Sequence, residues 1–92
     1  MIKSFKHSGL ENFFLTGTTK GIQTSHADRL RIRLDRLHSA KTVNDMNAPG
    51  YDLHKLKGKL KDYWSIRISG NWRLIFQFED GHAHVVDYVD YH

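Results

Sequence analysis

Ninety-two residues allow one domain with one core, and a chain this short leaves a large share of its surface in water. A hydrophobic fraction of 39% and a charged fraction of 26% fit a globular domain and exclude a disordered one, while the absence of cysteine excludes a disulfide framework and a thiolate metal site. Fourteen lysines and arginines against ten acidic residues give a net charge of +4, which favours a polyanionic partner; no signal core or membrane-length apolar run is present, so the expected location is the cytoplasm.

Taken in chain order, residues 2–5 form a candidate short strand that ends at His7-Ser8-Gly9. Leu10, Phe13 and Phe14 recur at helical spacing, and Gly17 and Gly21 close that first helix. Ser25, followed three residues later by Asp28, reads as a capping box for a second helix. Its apolar stripe is Ala27, Leu30, Leu34 and Leu37, and Arg29, Arg33 and Arg36 make a basic ridge on the other side. Asn47 to Gly50 mark a loop, after which the period changes to two. Residues 51–56 are a candidate strand with a turn at Gly58-Lys59. A second strand alternates Trp64, Ile66 and Ile68 with polar positions, and a third alternates Trp72, Leu74, Phe76 and Phe78. Asp80-Gly81 is a two-residue hairpin signal leading into a last strand over 82–92. Two helices followed by a small, mainly antiparallel sheet define an α+β fold, the helices packing on one sheet face, in one domain spanning 1–92.

Facing residues in a hairpin share a side of the sheet, so the turns fix a register. Asp80-Gly81 sets Glu79 against His82, Phe78 against Ala83 and Phe76 against Val85. Continued without interruption, this sets Ile75 against Val86 and Arg73 against Tyr88. A three-residue loop at Ser69-Gly70-Asn71 sets Ile68 against Trp72, Ile66 against Leu74 and Arg67 against Arg73. The expected polar face then carries Arg67, Arg73, Tyr88, Asp90 and His92, with Tyr91 on the opposite side. Asp87 is left on the apolar face opposite Leu74, without a reason for being there.

RNA cleavage by transesterification needs a base for the 2′-hydroxyl, positive charge at the phosphate and an acid for the leaving 5′-oxygen. Histidine suits either proton transfer, Arg and Lys suit the phosphate, and tyrosine can stack on a base or donate a hydrogen bond. An Asp can fix a histidine tautomer. His54, Lys57, Arg73, Asp90, Tyr91 and His92 supply that set. The same residue types also serve ordinary surfaces: Lys55, Lys57, Lys59 and Lys61 suit a solvated hairpin, and the arginine ridge suits the exterior of an amphipathic helix. His82 and His84 make only a weak metal pair.

LHKLKG at 53–58, YWSIRISGNWRLIFQFEDG at 63–81 and the closing VDYVDYH resemble the HigB branch of the RelE toxin superfamily, and the opening MIKSFKHSGLENFF extends the likeness over nearly the whole chain. The resemblance implies a microbial-ribonuclease-like fold. It implies a type II toxin that enters the ribosomal A site and cleaves translated mRNA without a metal or other cofactor. The implied partner is a HigA-type helix-turn-helix antitoxin, whose complex with the toxin contacts operator DNA through the antitoxin. His54, Lys57 and Arg73 match the family's active-site motif, and Asp90, Tyr91 and His92 its terminal motif. On that basis Arg67 and Arg73 bind phosphate, Lys57 neutralises the transition state, His54 and His92 transfer protons, and Tyr91 contacts the mRNA. Lys55, Lys59, Lys61, Arg29, Arg33 and Arg36 are expected to face ribosomal RNA. Two further readings of the same residues are a non-catalytic RNA- or ribosome-binding module and a protein-interaction domain.

Overall fold

In the computed structural model, residues 1–91 are described, and four strands among them form one antiparallel sheet in the order β1-β2-β3-β4. They are β1 His54–Lys55, β2 Trp64–Ser69, β3 Trp72–Glu79 and β4 His82–Asp90. Helices α1 (Ser8–Thr16) and α2 (Ala27–Ser39) precede the sheet. Leu10 and Phe13 of α1 and Leu30, Leu34 and Leu37 of α2 join Ile66, Leu74, Phe76, Val86 and Tyr88 in a single buried cluster. The helices therefore share one sheet face, as the α+β reading requires. Burial of each leucine contributes about 1.5–3 kcal/mol, so this cluster is the main source of cohesion.

The ends of α1 follow local chemistry. The His7 imidazole accepts from the Leu10 amide at 2.9 Å, and Gly17, at φ 81°, sends its amide back to the Phe13 carbonyl. The start of α2 differs from expectation, because Ser25 and Asp28 form no capping box. Thr24–His26 make a 3₁₀ turn instead, and the His26 side chain turns inward to a hydrogen bond with the Tyr88 hydroxyl at 2.5 Å. A tertiary anchor replaces the local cap there. The reciprocal box forms at Thr42 and Asp45, ahead of the 3₁₀ turn Val43–Met46.

The candidate strand over 51–56 is reduced to His54–Lys55, because Gly50 at φ 82° and Asp52 at φ 49° bend the chain just before it. Gly58–Leu60 is a 3₁₀ turn. Residues 2–5 make isolated parallel bridges to β4, Ile2 with Ala83 and Phe5 with Val86.

Two irregularities set the sheet register. Between β2 and β3 the turn is Gly70-Asn71, with Ser69 opposite Trp72, rather than three residues long. A shift between Arg67 and Ser69 leaves Ile68 outside the ladder and restores Ile66 opposite Leu74 and Arg67 opposite Arg73, as expected. Between β3 and β4 the pairs from Glu79–His82 to Gln77–His84 match expectation. A bulge then intervenes, with Val85 at φ 54°, and the next pair is Ile75 with Asp87. The Val85 amide donates to the Ser4 hydroxyl at 2.9 Å, so the amino-terminal segment holds the extra residue.

The bulge reverses the face of every later β4 residue. Tyr88 lies opposite Leu74 in the core, not beside Arg73. Asp87 moves to the helix-free side opposite Ile75, which removes the misfit in the expected register. Val89 lies opposite Arg73 and Asp90 opposite Trp72. Asp90 therefore does not share the side of Arg73, whereas the alternation carries Tyr91 to that side.

Candidate functional site

The sheet face away from the helices carries two rows of residues. One runs His54, Ser65, Ile75 and Asp87 across the four strands; the next runs Arg67, Arg73 and Val89. Arg67 and Arg73 are direct cross-strand neighbours, a like-charged pair that costs stability unless an anion joins them. His54 sits two strands from Arg73 on the same side.

Asp52 ties these two residues together. Its carboxylate Oδ2 lies 3.1 Å from Nη1 of Arg73, and its backbone carbonyl lies 3.0 Å from Nδ1 of His54. A carbonyl only accepts, so this hydrogen bond puts the proton of neutral His54 on Nδ1. Nε2 is then the basic nitrogen. The Arg73 side chain is 19% exposed and Asp52 60%, so the guanidinium is steadied from the solvent side. The left-handed conformation of Asp52, which aspartate tolerates better than most residues, aims both groups. Sequence reasoning missed Asp52, because an aspartate in a turn two residues before a histidine matches no motif.

Lys57 and the flanking Lys55, Lys59 and Lys61 are exposed around the Gly58–Leu60 turn. The Lys55 ammonium lies 5.1 Å from the centre of the Trp64 ring. Tyr91 is 49% exposed, and its amide donates to the Asn71 carbonyl at 2.8 Å, which holds the end of the chain beside the β2–β3 turn. His92, the remaining member of the expected set, lies outside the described residues.

Tyr88, expected on the polar face, belongs to a buried aromatic group under the site. It stacks on Trp72 at 4.5 Å between ring centres and shares its hydroxyl with His26. Burial holds His26 below the usual histidine range and Tyr88 above the usual tyrosine range, so both stay neutral partners.

The arginines of α2 also make tertiary contacts that helical spacing alone does not reveal. Arg29 Nη1 donates to the Ile68 carbonyl at 3.1 Å, Arg33 Nε to the Arg67 carbonyl at 2.9 Å and Arg36 Nε to the Asp45 carbonyl at 2.7 Å. Arg33 also lies over the Tyr51 ring at 4.3 Å. These side chains tether α2 to the sheet end and the following turn. Among the described residues, no group of three or more His, Asp or Glu is arranged to hold a metal ion. Nor is any helix among them long and apolar enough to cross a membrane.

Comparison with known proteins gives a consistent picture. The family described as the RelE-like toxin of the type II toxin–antitoxin system HigB matches residues 3–92. The chain is 45% identical over 92 residues to a Proteus vulgaris protein named Endoribonuclease HigB, covering all of both chains. It is 35% identical over 94 residues to Toxin HigB-1 of Vibrio cholerae serotype O1, covering all of this chain and 98% of that one. Among solved structures, the conserved hypothetical protein HP0894 of Helicobacter pylori is similar with a TM-score of 0.52 at 18% identity. That match covers 96% of this chain and 94% of the other, and it is a likeness of fold.

Proposed function

Since the chain belongs to the HigB-like toxins of type II toxin–antitoxin systems, with an antitoxin as its partner, we propose that it is an endoribonuclease whose active site is built around His54 and Arg73. The observation that carries this reading is the double tether from Asp52, which leaves His54 Nε2 as the base and aims a guanidinium from the same sheet face.

The chemistry follows from those groups. His54 Nε2 takes the proton of a ribose 2′-hydroxyl, and the freed oxygen attacks the adjacent phosphorus. The bond from phosphorus to the 5′-oxygen breaks, and a proton from His92 completes the leaving hydroxyl. Charge accumulates on the phosphate oxygens, where Arg73 and Lys57 oppose it. The products are a 2′,3′-cyclic phosphate and a 5′-hydroxyl. Tyr91, on the side of Arg73, stacks on or hydrogen-bonds the RNA. Asp90, on the other side of the strand end from Arg73, contributes negative charge to the carboxy-terminal motif.

The substrate is mRNA being translated on the ribosome, in the cytoplasm. The exposed Lys55, Lys59 and Lys61 meet ribosomal RNA, giving a salt-dependent share of the affinity. The partner is a HigA-type helix-turn-helix antitoxin, through which the complex reaches operator DNA. Inducing the protein in growing bacteria and mapping mRNA 5′ ends tests the activity. New ends within translated regions, absent with an Arg73→Ala variant of unchanged thermal stability, are the expected result. Intact transcripts in cells that hold the folded wild-type protein would overturn the reading.

A further inference from the structure

Beside the His54–Arg73 site, at the turn end of β2, lies a surface cavity of about 290 Å³ lined by Arg29, Arg33, Arg67, Ser69 and the two glycines Gly50 and Gly70. Its lining also includes Ile68 but no acidic residue. Three arginines thus line one small space without a carboxylate among its lining residues, Arg29 and Arg33 reaching it from α2 and Arg67 from β2.

Their positions are fixed by backbone, not by charge. The bulge at Ile68 leaves two successive carbonyls, those of Arg67 and Ile68, available to side chains of α2. Each takes one N–H from an arginine, so each guanidinium keeps most of its five donors for another partner. Arg33 is held further by the Tyr51 ring, and burial keeps its guanidinium below the ordinary arginine value. The Arg67 side chain is exposed and forms no ion pair among the described residues. Gly50 and Gly70 present backbone without a side chain at the rim, and a Cβ at either would meet open space. Pre-set, unneutralised guanidiniums with a hydroxyl beside them form a receptor for a tetrahedral oxyanion, which accepts paired N–H donors.

The cavity continues the site already described. Arg67 lies directly across the sheet from Arg73, and residues 50–54 connect the cavity rim at Gly50 to the Asp52 and His54 tethers. We infer that Arg29, Arg33 and Arg67 form a second phosphate-binding subsite, which takes an RNA backbone phosphate flanking the one held at Arg73. This rests on the reading of the protein as a ribonuclease; the oxyanion site itself does not.

Two titrations of the purified full-length protein test it. In the first, inorganic phosphate is added while the arginine Nε–Hε signals are followed by NMR. Saturable shifts of Arg29, Arg33 and Arg67, with Arg31 and Arg36 unmoved, are expected, and an Arg29→Gln/Arg67→Gln variant should lose them. Uniform or absent shifts would overturn the site. The second uses a short RNA with 2′-deoxy residues, which cannot be cleaved, as competitor at several salt concentrations. Displacement of phosphate is expected, and in the variant the slope of log affinity on log salt should fall by about 0.7 for each RNA phosphate left unneutralised. Phosphate binding that RNA does not displace would overturn the RNA assignment and point to a free phosphate ligand. Wild-type RNA affinity and slope in the variant would do the same. If the double variant does not fold, Arg67→Gln alone serves, since residue 67 is tethered to α2 through its backbone carbonyl, which the substitution keeps. A wild type that binds phosphate in the cavity but never cleaves ribosome-bound mRNA would count against the ribonuclease reading and not against the subsite.

Discussion

The backbone carbonyl of Asp52 selects which nitrogen of His54 carries the proton, while its carboxylate holds Arg73 from the solvent side. These two contacts separate under substitution. Asp52→Asn keeps the carbonyl and removes the charge facing Arg73, so cleavage should slow by about 10- to 100-fold, the scale of a misplaced catalytic group. The His54 tautomer, read from imidazole ¹⁵N shifts, should stay as in wild type. A change of tautomer with Arg73 still in place would show that the two contacts do not divide in this way. His54→Ala should lose on the order of 100- to 10,000-fold in rate, as removal of a general base does, without a matching loss of thermal stability. Tyr88→Phe acts differently, because it touches no proposed catalytic atom. It leaves His26 Nδ1 buried without its partner, and urea denaturation should report a loss of about 1–3 kcal/mol with cleavage retained at temperatures where the protein is folded.

At the scale of elements, the extra residue in β4 decides which side chains reach the site. An unbroken ladder that kept Val85 opposite Phe76 would set Asp87 opposite Leu74, burying a carboxylate among apolar side chains at a cost of several kcal/mol. Deleting Val85 instead closes the bulge and leaves Asp87 opposite Ile75 and Tyr88 opposite Leu74, so the deletion variant should remain folded by circular dichroism at room temperature. An unfolded deletion variant would mean that the extra residue itself, and not the register after it, holds the strand. The pairing of Arg67 with Arg73 was legible in the sequence because the shift at Ile68 preserves the parity of the β2–β3 pair. The faces of Tyr88, Asp90 and Tyr91 were not, since the bulge residue is an ordinary β-branched valine flanked by similar residues, with no glycine or asparagine to mark it. Its visible trace was the misplaced Asp87. The helical period found the buried stripe of α2 but not the reach of Arg29 and Arg33, whose long side chains bend to carbonyls of β2. Asp52 was illegible for a related reason: its role comes from a left-handed backbone angle and two tertiary contacts, none of which leaves a pattern in the chain.

For the whole molecule, stability should depend on pH through two histidines held below their ordinary value of 6.5. Burial is the main cause for both; Arg29 adds to it at His26, and Lys3 and the terminal amine add to it at His82. In each case the unfolded chain takes up the proton first, so the stabilisation is complete above the ordinary value and declines as pH falls through it toward the lowered one. The melting temperature should therefore drop between pH 8 and pH 5, and the drop should be smaller in a His26→Gln variant. A flat profile in wild type would contradict this. With a net charge of +4, attraction to a polyanionic substrate is open to screening, so the proposed cleavage should weaken as salt rises. The central claim is the chemistry at His54 and Arg73, and the most direct measurement of it is the structure of the RNA ends left by the purified protein on mRNA-programmed ribosomes. The expected ends are a 2′,3′-cyclic phosphate and a 5′-hydroxyl, formed by wild type and lost with both His54→Ala and Arg73→Ala. Ends carrying a 3′-hydroxyl and a 5′-phosphate, or undiminished cleavage by either variant, would contradict it.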